Sequence, residues 1–177
     1  MKKIMFIYGG LSGAIVISLA IASVALSSSE TDWTVAEYLG YLVMLIALSI
    51  IFMGIKRYRD QELGGVIRFG TALGLGLGIA LVASLVYVVA WEGYLAISGY
   101  EFMNQYAEGV LRAEQAAGAS EEALAAMRSE MEAFQLKYAN PLFRLGITFL
   151  EIFPVGLLIS LVSAAVLRNS NILPARG

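Results

Sequence analysis

Four long apolar runs constrain this chain more than any other feature. They occupy residues 4–26, 35–55, 66–91 and 143–167, and each reaches the ~20 residues a helix needs to cross a hydrocarbon core of about 30 Å. Lipid offers no partner to backbone N–H and C=O groups, so runs of this length predict helices. The remaining composition agrees, with 59% hydrophobic and 15% charged residues, against about 45–50% and 25% in soluble domains. The expectation is an all-α polytopic protein in which residues 1–177 form a single membrane domain.

The first run follows Met1-Lys2-Lys3. It is longer than the roughly 7–15 residues of a secretory signal core, so an uncleaved span is expected despite the cleavage-like Ser23-Val24-Ala25. A polar connection, Ser27–Thr34, supplies Trp33 as an interfacial anchor and Thr34 as an N-cap for the second helix. After that helix comes a polar stretch, Lys56–Gly65, read as a connection in which Lys56, Arg57 and Arg59 stand beside anionic lipid headgroups. The third run closes on Trp91-Glu92-Gly93-Tyr94, an aromatic belt.

Between the third and fourth runs the pattern changes. Phe102, Tyr106, Val110 and Ala113, then Leu124, Met127, Met131, Phe134 and Tyr138, draw two apolar stripes at helical spacing. Ser120 before Glu121-Glu122 reads as an N-cap with dipole-matched acids. An amphipathic helical hairpin over about residues 100–139 is expected, lying on the rim of the bundle or offering a surface to a protein partner.

Basic residues set the orientation. Lys2, Lys3, Lys56, Arg57, Arg59, Arg68, Arg168 and Arg176 flank the runs at the termini and the 56–68 stretch. Residues 92–140 carry eight acids against three bases. The positive-inside bias therefore predicts cytoplasmic N- and C-termini with the hairpin outside.

Small residues predict where helices approach. Gly70, Gly74 and Gly78 share one face of the third helix, and Gly10 and Ala14 lead a four-residue stripe in the first, with Gly9 and Gly13 beside it. The stripes fit packing within one chain and leave a homo-oligomer open.

The fourth run holds a carboxylate. Glu151 precedes Pro154 by three residues, and Arg144, Thr148 and Glu151 share a face at offsets of four and three. An acid at that depth is paired, protonated or facing water. Arg144, or a hydroxyl from Tyr38, Tyr41 or Tyr87, could satisfy it. Glu37 is a first-turn acid in the second helix, favoured there by the helix dipole or joining the same polar cluster.

Catalytic signatures are missing. The chain has no Cys and no His, which removes thiolate nucleophiles, the commonest general base and the commonest metal ligand. Gly10-Leu11-Ser12-Gly13 is not the GxSxG elbow, and no strand precedes it. No cofactor, metal site or catalytic residue is expected. No basic stretch is interleaved with stacking aromatics, so nucleic acid is not expected as a partner either.

Phe52–Asp60 with Gly64-Gly65, Ala83–Tyr87 with Trp91, and Glu151–Leu157 together resemble the bacterial family of domain of unknown function 4199, small proteins with four predicted spans. The resemblance implies a multi-pass location in the bacterial inner membrane and no activity. The expected role is that of a non-catalytic accessory or interaction protein in contact with membrane lipids. The alternative is a small proton- or cation-coupled transporter using Glu151.

Overall fold

The computed structural model describes residues 1–26 and 33–175. Among these residues seven helices follow one another: α1 (Lys2–Leu26), α2 (Trp33–Leu48), α3 (Ile50–Glu62), α4 (Phe69–Ile97), α5 (Phe102–Ala116), α6 (Glu121–Tyr138) and α7 (Pro141–Leu167). Residues 27–32, and the side chains of Trp33, Thr34 and Glu37, lie outside the described residues, so the anchor and N-cap expected there do too.

Among the described residues four stretches are long and apolar enough to cross a membrane: Lys2–Leu26, Tyr38–Glu62, Phe69–Ile97 and Pro141–Leu167. The second joins α2 to α3 across Ser49, whose hydroxyl donates to the Ile46 carbonyl at 2.6 Å. Serine bonding back into its own helix competes with the backbone ladder and marks a break there.

The second span runs further than the sequence reading, which ends it at Ile55 and makes Lys56–Gly65 a connection. The polar residues continue the helix instead. Lys56 pairs with Asp60, and Arg57 Nε donates to Gln61 Oε1 at 2.9 Å, both four residues on. Such pairs support a helix that has already left an apolar environment. The turn shrinks to the residues around Gly64 and Gly65, both at positive φ (63° and 91°), which glycine adopts without steric cost.

α4 is the centre of the bundle. Half of its most apolar window is buried, 50% against 28–33% in the other three spans, and it packs most extensively against α1 and α7. Both contacts depend on missing side chains, though mostly not the predicted ones. A Cβ added at Gly9 would lie 2.6 Å from Val82 Cβ, and one at Gly13 2.6 Å from the Ala83 carbonyl oxygen. On the other side, a Cβ at Gly156 would fall 2.7 Å from Ala80 Cβ and one at Gly76 2.8 Å from Ser160 Cβ.

Gly70, Gly74 and Gly10 meet nothing within 4 Å, and Ala14 is exposed. Gly78 alone of the predicted third-helix face is crowded, by the flexible Met5 side chain. The four-residue spacing shows that close approach is feasible. On helices that are apolar all round it does not say which face takes it.

The two ends of the bundle differ. At one, the start of α1, the end of α3 and the end of α7 meet: Arg57 Nη1 donates to the Tyr8 hydroxyl at 3.5 Å, and Arg59 Nη1 to the Leu167 carbonyl at 3.5 Å. At the other, α5 and α6 connect α4 to α7 and pack against each other. Gly99 and Tyr100, at φ 66° and 61°, turn the chain into α5. Ser120 caps α6 by accepting from Ala123 N at 3.2 Å, and Asn140 caps α7 by accepting from Leu142 N at 2.9 Å. Pro141 follows at the start of α7, where its missing N–H costs nothing. α7 continues through Pro154 without interruption.

Candidate functional site

The residues singled out by sequence separate into three places. Arg59, expected among headgroups, is fully buried at 0% exposure. It stands four and eight residues after Ile55 and Ile51, both also at 0%, so it continues the buried face of α3 instead of the lipid face. There its guanidinium donates to the Ile172 carbonyl at 3.0 Å, to the Leu173 carbonyl, and to Asp60 Oδ1 at 2.7 Å. It clasps the chain beyond α7. Arg57 remains exposed, and Lys56 is half-buried against Asp60.

Arg144 forms the second place, at the opposite end. It is 5% exposed, and its carboxylate partner is Glu92. Nε donates to Glu92 Oε1 at 2.6 Å and Nη2 to Oε2 at 2.8 Å, a two-pronged contact, while Nη1 donates to the Tyr138 carbonyl at 3.1 Å. Its guanidinium carbon also lies 4.8 Å from the centre of the Tyr100 ring. The site thus ties the end of α4 to the start of α7 and fixes the end of α6. The sequence reading places Glu92 in an aromatic belt, or beside Glu151 as a second carboxylate, and does not pair it with Arg144. An acid at the end of one span and an arginine at the start of the next span on the same side was the available signal.

Glu151 belongs to the third place, a cleft of about 580 Å³ between α1, α2, α4 and α7 that continues under α5 and α6. That is within the ~300–1,000 Å³ of ordinary small-molecule sites. Its wall is apolar and aromatic, with Tyr87, Trp91, Phe102, Tyr106 and Tyr138 contributing. Among the described residues, Glu151 is the one Asp, Glu, Lys or Arg that lines it. Tyr87, one of the tyrosines considered as a partner for Glu151, lines the cleft with it. Of the other tyrosines considered for that role, Tyr41 lines the same cleft and Tyr38 is exposed.

Trp91 organises the aromatic wall. The belt reading puts it at a membrane surface, but it is 6% exposed. Its indole N–H donates to the Tyr138 hydroxyl at 3.0 Å, its ring lies parallel to Tyr87 with centroids 6.5 Å apart, and Phe102 meets it edge-on at 4.9 Å. Thr148 is buried one turn from Glu151 and lines the cleft together with Tyr138, whose hydroxyl accepts from Trp91. Burial pushes that hydroxyl above the ordinary tyrosine pKa. The predicted cluster of Arg144, Thr148 and Glu151 is therefore one helix face divided between two sites, with Tyr138 touching both; the Glu37 side chain is outside the described residues.

Four membrane-length helices around such a cleft define the class, a multi-pass helical membrane protein. The chain belongs to the family described as Protein of unknown function (DUF4199), whose model matches residues 7–169. No curated protein and no solved structure matches it.

Proposed function

We propose that this protein is a non-catalytic accessory protein of the bacterial inner membrane that works by holding a ligand in its aromatic cleft. In this reading both termini and the Gly64-Gly65 turn are cytoplasmic, and the α5–α6 hairpin covers the cleft from outside. Basic residues gathered at the Arg57 and Arg59 end, against the acidic 92–140 segment, support that orientation. The observation that carries the binding role is the cleft itself: concave, of ligand size, walled by aromatics and holding one carboxylate among the described residues.

Gly40 gives the test. It lines the cleft, and a side chain added there meets nothing within 4 Å. Gly40→Phe should fill the site without straining the bundle. Native mass spectrometry of the wild-type protein, released gently from membranes, is expected to show a bound molecule that the variant lacks. Identical spectra for the two, free of added mass, would end the proposal.

A second reading is favoured by Glu151 lining that cleft in a span. A carrier could exchange a proton for a cation on this carboxylate. Glu151→Gln in proteoliposomes should then abolish pH-driven flux, whereas a purely binding protein shows no flux to lose.

A further inference from the structure

The chemistry of the cleft restricts what it can hold. We propose that its ligand is an organic cation with an apolar body, with Glu151 as the counter-ion and the Tyr87–Trp91 wall as the aromatic surface. The inference rests on the ligand-binding role proposed above and names the ligand class.

Four properties of the lining lead to it. Glu151 is the one Asp, Glu, Lys or Arg lining the cleft among the described residues, so an anion finds no basic side chain there. The wall is aromatic. Tyr87 and Trp91 stand one helical turn apart on α4 with parallel rings, and such π faces attract cations, Trp most strongly.

The lining's other side-chain oxygens are neutral hydroxyls, from Ser23, Thr148 and four tyrosines, and among the described residues Glu151 is the one carboxylate. Calcium takes about 6–8 oxygen ligands and magnesium about six, with carboxylates prominent among them. A bare dication would find one charged ligand there, while a quaternary cation spreads its charge over carbon and needs no such shell.

Depth supplies the fourth property. Glu151 stands ten residues after Pro141, the start of α7, or about 15 Å along the helix. The ammonium of a phospholipid lies at the headgroup level, too shallow to reach it. A compact cation that enters the apolar cleft whole can reach it. The nearby Arg144 does not oppose this binding. It lies two turns closer to the helix start, with its charge matched by Glu92 through both carboxylate oxygens.

Tyr87 has a distinct part here. It brings both a hydroxyl and a ring to the cleft that holds Glu151. Tyr87→Phe keeps the ring and should retain most binding. Replacement by Leu removes both contributions.

The test uses tetraphenylphosphonium, with tetraphenylborate as its size-matched anion and triphenylphosphine oxide as a neutral analogue. Binding to purified full-length protein is read by scintillation proximity with labelled phosphonium and by competition with the other two. The phosphonium should bind the wild type and bind Glu151→Gln about tenfold more weakly, the loss of one charge-assisted contact. Glu151→Asp should restore part of the affinity, and tetraphenylborate should not compete.

If Glu151→Gln fails to fold, discrimination between the two size-matched ions on the wild type decides the question. Equal competition by all three probes, abolished by Gly40→Phe, would overturn the cation assignment and leave a ligand cleft without charge preference. No binding of any probe would overturn the cation assignment too, and if native mass spectrometry also found no bound molecule, the ligand-binding role would fall with it.

Discussion

Replacing Arg144 with methionine keeps much of the side chain's length and removes its charge, which isolates what the guanidinium does. The structure gives it three hydrogen bonds, two to Glu92 and one to the Tyr138 carbonyl. Its side chain is 6% exposed and that of Glu92 24%. Removing one partner of a buried pair costs about 3–5 kcal/mol, because the other charge is left unmatched. Water can reach part of Glu92, so the expected loss is smaller, about 2–3 kcal/mol. Glu92→Met should cost a similar amount. The double variant removes both charges together and should cost less than the two singles added, with a coupling of about 1–3 kcal/mol. The assay is reversible unfolding in mixed micelles, followed by circular dichroism across a detergent titration for all four proteins. Arg144→Met within about 0.5 kcal/mol of wild type, or a coupling below that value, would refute the reasoning.

The glycine contacts give an ordered pair. Gly13→Ala should destabilise by about 1–3 kcal/mol, the usual cost of overpacking, since its Cβ would sit 2.6 Å from a backbone oxygen of α4, whereas Gly74→Ala should be neutral or better in the same titration. Arg59→Met should release the chain after α7, read as faster carboxypeptidase trimming of residues 169–175 than in wild type. Tyr138 predicts an alkaline effect: its raised pKa means the fold favours the neutral hydroxyl, a contribution whole below the unfolded value of about 10 and lost as pH rises beyond it. Wild type should therefore lose stability above about pH 10 more steeply than Tyr138→Phe; parallel curves would remove Tyr138 as the cause. Sidedness is testable cleanly because the chain has no cysteine. Glu114→Cys should react with an impermeant maleimide on intact cells and Glu62→Cys only after lysis, and the reverse pattern would invert the proposed topology.

How far the fold could be read from sequence depended on which force set each feature. The spans were legible because lipid demands long apolar helices regardless of packing, and the cap at Ser120 because it is local. Span ends were less so. Lys56–Glu62 has the composition of a loop, yet its i,i+4 pairs carry α3 onward, and nothing requires a helix to stop where lipid does. The packing faces were misjudged because Gly70, Gly74 and Gly10 lie on apolar helices where every face looks alike. Arg59 was recoverable, since its spacing from Ile51 and Ile55 places it on the buried face. Reading composition ahead of period put it outside.

The candidate site was legible one helix at a time. Glu151 announced itself as a carboxylate in an apolar run, and Arg144 as its neighbour on the same face. Which acid each contact uses is a long-range matter, decided by where the end of α4 meets the start of α7, and there Glu92 takes Arg144. With Arg144 bonded to both Glu92 oxygens, the two residues of one α7 face part company: Arg144 goes to the clamp and Glu151 to the cleft lining. The same arginine holds the Tyr138 carbonyl, and the Tyr138 hydroxyl accepts from Trp91, so the clamp at the end of the bundle also sets the aromatic wall. Arg144→Met should accordingly weaken phosphonium binding as well as stability, although Arg144 does not line the cleft. Tyr100→Leu, which removes only the ring over the guanidinium, should do less of both.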